Sequence, residues 1–195
     1  MKQRHGFVSN SSSSAFILVL PKLPGSVKET EELLFGDQLY IDYPYNDNHP
    51  NSEAIKFSTK EIAAIVFRNL QGEQIKDHSR ECGKITSFEM LAEILKNGVV
   101  GDEPENEPVL GKIKEPEYDT EEVADGTEEE REAFWKNVDE KDTAFAKEIS
   151  NKLLKKWPLE HMYKVEYADE DGQLGATMEH GEIFNKIPHI RISKH

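Results

Sequence analysis

Phe16, Ile17, Leu18, Val19 and Leu20 form an unbroken apolar run that stops at Pro21. Proline lacks the backbone donor a ladder needs, so the run cannot simply continue. A stretch this short, with aromatic and branched side chains and no polar position to turn toward water, is expected as an interior strand covered on both faces. Whatever else the chain does, it must build a core around these five residues.

The residues before the run are of the opposite kind. Ser9, Asn10, Ser11, Ser12, Ser13 and Ser14 carry short polar side chains that bond to nearby backbone and favour turns. With Lys2, Arg4 and His5 close by in sequence, one reading is an anion or phosphate cradle built from Arg4, Ser11, Ser12, Ser13 and Ser14. The plainer reading is a lead-in loop whose hydroxyls serve only their own backbone and water, since no GxxxxGK[ST] phosphate loop is present.

Gly6, Phe7, Val8, Ser9 and Asn10, the serines through Ser14 and the closing Phe16 resemble the GFVSNSSSSSF opening of a set of small phage and bacterial proteins, with Ala15 standing where a fifth serine is usual. The tail, Asp169 to Gly172, Glu179 to Gly181 and His189 to His195, is similar to C-termini of the same set. The resemblance implies a phage-type accessory protein in a bacterial or phage-infected cell and carries over no catalytic residues.

With 195 residues and 36% hydrophobic content, the chain is long enough for one domain and somewhat poor in core material. Its single cysteine, Cys82, points to a reducing compartment, and no stretch approaches the length of a membrane span. A cytoplasmic location is expected. Of the net charge of -14, residues 101 to 140 hold sixteen acidic and four basic side chains, which leaves -2 for everything else. Such a face disfavours direct nucleic-acid binding, which rests on Lys and Arg. It suits a protein partner docking through segment 101 to 140, and it also suits an ordinary solvated surface. The oligomeric state is left open.

In chain order, Ser26 with Glu29, Ser58 with Glu61, Thr86 with Glu89 and Thr127 with Glu130 are capping-box patterns that open four helices. The last is the longest, at about 128 to 157, with Phe134, Val138, Phe145, Ile149 and Leu153 at helical spacing. A short strand is expected at Leu39 to Asp42. Residues 101 to 118, rich in proline and carboxylate, read as a linker. Tyr163, Val165 and Tyr167 alternate with charged residues, as do Leu174, Ala176 and Met178 with their neighbours, and Asp171-Gly172 between them predicts a β-hairpin. A last strand follows Pro188, with Ile190 and Ile192 on one face and His189, Arg191, Ser193 and His195 on the other. The fold class that follows is α+β: a single domain with a small mixed or antiparallel sheet, made of the N-terminal strand, the C-terminal hairpin and the last strand, with helices mainly on one face.

His78 and Cys82 lack the further partners a zinc site needs and read as a surface loop. No GxSxG, HExxH, GxGxxG, paired CxxC or EF-hand pattern occurs. The one constellation with catalytic character is Glu179, His180, His189, Arg191 and His195. His189 and His195 cannot share an ion, because six residues of strand hold them about 20 Å apart. A site would need His180 with one of them, plus carboxylates such as Glu179, Asp169 or Asp171 brought round by the hairpin in one particular way. No tightly bound metal and no cofactor are expected, and whether the chain is an enzyme stays open. Two function classes result: an accessory protein that binds another macromolecule without catalysis, or a hydrolase or transferase acting on a phosphate-bearing substrate through the serine loop and the C-terminal histidines. Proximity of Ser11 to Ser14 to His180, Arg191 or His195 across a concave pocket would favour the second.

Overall fold

The computed structural model describes residues 13–46, 54–73, 82–101, 104–118 and 126–194. Arg4, Ser11, Ser12, His78 and His195 lie outside the described residues.

The apolar run is an interior strand. β1 (Ser13–Val19) lies between β5 (Met162–Ala168) and β6 (His189–Lys194), antiparallel to both, with the two-residue β4 (Gly83–Lys84) beyond β5. Ser14 stands opposite Tyr167 on one side and Ser193 on the other, and Leu18 opposite Tyr163 and His189. Because side chains alternate along a strand, β1 feeds two cores. Phe16 and Leu18 pack with α1 (Val27–Phe35), α2 (Thr59–Leu70), Tyr163, Val165, Tyr167 and Phe184. Ala15 and Ile17 pack with α3 (Phe88–Lys96), the inner part of the long helix α5 (Glu128–Lys156), Ile190 and Ile192. The remaining strands, β2 (Tyr40–Asp42) and β3 (Lys56–Ser58), form a separate antiparallel pair. The result is a small α+β domain.

Three expectations differ from this structure. The helices cover both faces of the sheet, because the Ala15, Ile17, Ile190 and Ile192 face is as apolar as the other and needs its own lid. The charged half of β5 is covered with it: Lys164 and Glu166 are buried and paired at 3.0 Å, with Lys194 Nζ 2.6 Å from the same Glu166 oxygen. The Asp171-Gly172 hairpin is instead a helical turn at Asp169–Asp171 leading into α6 (Gly172–His180), where Leu174 and Met178, four apart, reach the first core. Segment 101 to 118 is more than a linker. It holds a helical turn at Pro104–Asn106 and the short α4 (Glu107–Leu110), and it buries Leu110 in the second core.

The capping signals fare unevenly. Thr127 and Glu130 form the full reciprocal box, Thr127 N–H donating to Glu130 Oε2 at 2.8 Å and Glu130 N–H to Thr127 Oγ1 at 3.3 Å. Ser26 caps α1 by accepting from the Glu29 amide. In α3 the cap is Ser87 rather than Thr86, and Ser58 stands at the α2 N-cap without a side-chain bond, the adjacent Thr59 hydroxyl donating to Glu31 Oε1 at 2.8 Å.

Candidate functional site

Three elements bring polar side chains together above the first core. β1 contributes Ser14, β6 contributes Arg191, and α6 ends on Glu179 and His180, with Asp169 at the turn before it. Ser14 is fully buried; its hydroxyl donates to Glu179 Oε1 and accepts from Arg191 Nε, both at 3.2 Å. Arg191 Nη2 lies 3.1 Å from His180 Nδ1. A guanidinium has no acceptor, so in this arrangement Nδ1 offers its lone pair and the ring proton sits on Nε2, which faces Glu179 Oε2 at 3.5 Å. The Arg191 head also lies 5.8 Å from the centroid of Phe16. Stacking of this kind keeps the aliphatic stem and the charged plane in register with the strand below.

Tyr45 closes the outer side, its ring edge-on to His180 at 5.7 Å. Burial, and then the charges of Glu179 and Asp169, push its phenol above the usual range. The ligand-capable atoms of Asp169, Glu179 and His180 all lie within 4.8 Å of one another. Glu179 is buried, whereas Asp169 and His180 are half-buried and reach the surface.

A second polar group adjoins the first through Arg191. Glu105 Oε1 lies 3.7 Å from Arg191 Nε, and Glu105 Oε2 lies 3.7 Å from His189 Nε2, while His189 Nδ1 meets the Ile187 carbonyl at 3.0 Å. Burial works against the His189 imidazolium, but the facing Glu105 carboxylate and the Ile187 carbonyl outweigh it and hold the group above its ordinary value. For Glu105, burial acts upward, and His189 with Arg191 brings the carboxyl below the usual range.

Of the residues singled out in the sequence, Ser14, Glu179, His180 and Arg191 converge. His189 faces Glu105 instead, two residues along the same strand face. Ser13 falls on the opposite face of β1 from Ser14, because strand side chains alternate. Tyr45 and Glu105 carried no signal that would have marked them: the first sits in an Asp-, Asn- and Pro-rich loop, the second in an acidic stretch that reads as solvent-facing. A cavity of about 340 Å³ opens elsewhere, lined by Val100, Pro104, Asn106, Gly111 and Ile113 among others.

Comparison with family models, with curated proteins and with solved structures finds no match for this chain. Among the described residues, no helix is long and apolar enough to cross a membrane.

Proposed function

We propose that the protein is a phage-type accessory protein that binds another macromolecule without catalysing a reaction, and that segment 101 to 140 provides the contact. The observation behind this reading is the outer half of α5. The buried residues of this 29-residue helix are Ala146, Ile149, Ser150 and Leu153, all toward its C-terminal end. Over 128 to 142 the helix carries Glu128, Glu129, Glu130, Glu132, Asp139, Glu140 and Asp142 against Arg131, Lys136 and Lys141. Within that acidic field Phe134 and Trp135 pack edge-on at 5.2 Å, with Trp135 44% exposed. The helix is braced where it needs to be, by Lys96 on Asp139 at 2.7 Å and by the Tyr118 hydroxyl donating to Asp142 at 2.8 Å. A rigid acidic helix presenting an aromatic anchor suits a basic partner with an apolar socket, the charges steering the encounter and the tryptophan supplying contact area.

Photo-crosslinking in host cells from a reactive residue at position 135 tests this. One dominant adduct with a basic protein is expected, competed away by untagged wild-type protein but not by Trp135→Ala. The same adduct pattern from a control position on α1, such as Lys28, would sink the reading.

The convergence of Ser14, Arg191 and His180 favours a second reading, a hydrolase or transferase acting on a phosphate-bearing substrate. It requires turnover of a phosphoester that is lost in both His180→Ala and Arg191→Ala variants that still fold. Turnover that survives both substitutions, or none across phosphomonoesters, phosphodiesters and nucleotides, removes it.

A further inference from the structure

The geometry points to a divalent-cation site formed by Asp169, Glu179 and His180. One imidazole nitrogen and two carboxylate oxygens already lie within 4.8 Å of one another. Around an ion with bonds of about 2.1 Å, neighbouring ligand atoms sit about 3.0 Å apart in an octahedron and about 3.4 Å in a tetrahedron. The observed 3.5 Å between His180 Nε2 and Glu179 Oε2 is long for a hydrogen bond and close to that edge length. Asp169, within 4.8 Å of the other two, needs to close by at most about 1.4 Å for a tetrahedron and about 1.8 Å for an octahedron, within the reach of one side-chain rotation.

Outside the cluster, Ser14 from β1 holds Glu179 Oε1 and so turns Oε2 toward His180. Hydrogen bonds from a neighbouring element that aim a carboxylate in this way are how metal ligands are oriented. Glu179 is 1% exposed. Keeping a carboxylate ionised there is costly unless cations face it. The half-buried Asp169 and His180 give an ion its approach from solvent, and three protein ligands leave coordination positions open to water or a substrate oxygen.

The donor set selects among cations. A nitrogen ligand beside two carboxylates suits Mn²⁺, Fe²⁺ or Zn²⁺ better than Ca²⁺ or Mg²⁺, which prefer oxygen alone. This departs from the expectation of no tightly bound metal, which also covered His180 with carboxylates such as Glu179 and Asp169: α6 stands where a hairpin was expected and carries Glu179 and His180 back beside Asp169.

Loading the site changes Arg191. A ring that binds metal through Nε2 carries its proton on Nδ1, so Arg191 must release His180, with which it is now in contact at 3.1 Å. The Glu105 Oε1 atom, 3.7 Å from Arg191 Nε, is positioned to take the guanidinium. The ion and Arg191 thus compete for one imidazole, and loading the ion shifts the guanidinium toward Glu105.

The test uses full-length, untagged protein stripped of metal by a chelator, titrated with Mn²⁺ and followed by electron paramagnetic resonance. About one equivalent is expected to bind ahead of any weaker phase, with a nitrogen coupling to the bound ion. His180→Ala should abolish the nitrogen coupling. Both His180→Ala and Asp169→Asn, at half-buried positions and checked for folding by circular dichroism, should weaken binding by about tenfold or more. A Glu128→Gln, Glu129→Gln, Glu130→Gln triple variant should bind as wild type does. Absence of a one-equivalent phase, absence of the nitrogen coupling, or affinity that follows the triple variant instead, overturns the site.

Discussion

Asn106 does with one side chain what a strand does with its backbone. Its Nδ2 donates to the carbonyls of Val100 at 2.9 Å and Arg191 at 2.7 Å, and its Oδ1 accepts the Arg191 amide at 2.9 Å. The outer edge of β6 is thereby paired at Arg191, and again two residues on, where Val99 and Ser193 exchange backbone bonds. Removing the amide strands buried backbone groups of β6, so Asn106→Ala should cost about 2–3 kcal/mol in urea unfolding. A loss below about 0.5 kcal/mol would mean that water replaces the amide freely. Nothing near Asn106 in the chain announces this role, because its partner is 85 residues away and its neighbours are prolines and carboxylates. His189, Arg191, Ile190 and Ile192 were legible for the opposite reason: a two-residue period needs only local sequence to assign faces.

Element by element, α6 is where local pattern misleads most. Leu174, Ala176 and Met178 satisfy a two-residue period, while Leu174 and Met178 satisfy the helical one, and nine residues are too few for periodicity to choose. Tertiary contact chooses. A Cβ on Gly175 would lie 2.4 Å from the Ala168 carbonyl oxygen and 2.7 Å from Asp171 Cβ, so the helix rests directly on the end of β5. Gly175→Ala sets a helix-propensity gain of about 1 kcal/mol against a clash with backbone that cannot rotate away. The clash should win by about 1–2 kcal/mol net, seen as a lower melting temperature; a higher one would mean that α6 can slide outward. The choice of helix over strand also makes the site, because it carries Glu179 and His180 back beside Asp169. By contrast α5 was readable from Thr127 to Lys156, since its cap chemistry and its length are properties of contiguous residues.

At the scale of the whole molecule, the Glu105, His189 and Arg191 group fastens the acidic segment to the sheet, and its strength depends on pH. His189 is held above its ordinary 6.5, so its contribution is complete below about pH 6.5 and fades as pH rises through the raised value. Glu105 is held below its ordinary 4.5, so its contribution is complete above about pH 4.5 and fades as pH falls through the lowered value. Both act together between those limits, with Arg191 opposing the His189 charge from the same strand. The difference in urea midpoint between wild type and His189→Gln should be largest in that window and shrink on the alkaline side; a difference that grows with pH would reverse the assignment. The sheet itself has a consequence for synthesis. Ser13 pairs with Ala168 and Leu18 with His189, so β1 is translated about 150 residues before either neighbour. For that interval a strand with two open edges and an apolar side chain at every position from Phe16 to Val19 has no native partner. Emergence of β5 and β6 is then the event that closes the domain, and chains stalled or cut before β5 and β6 are the species most exposed to edge-to-edge association.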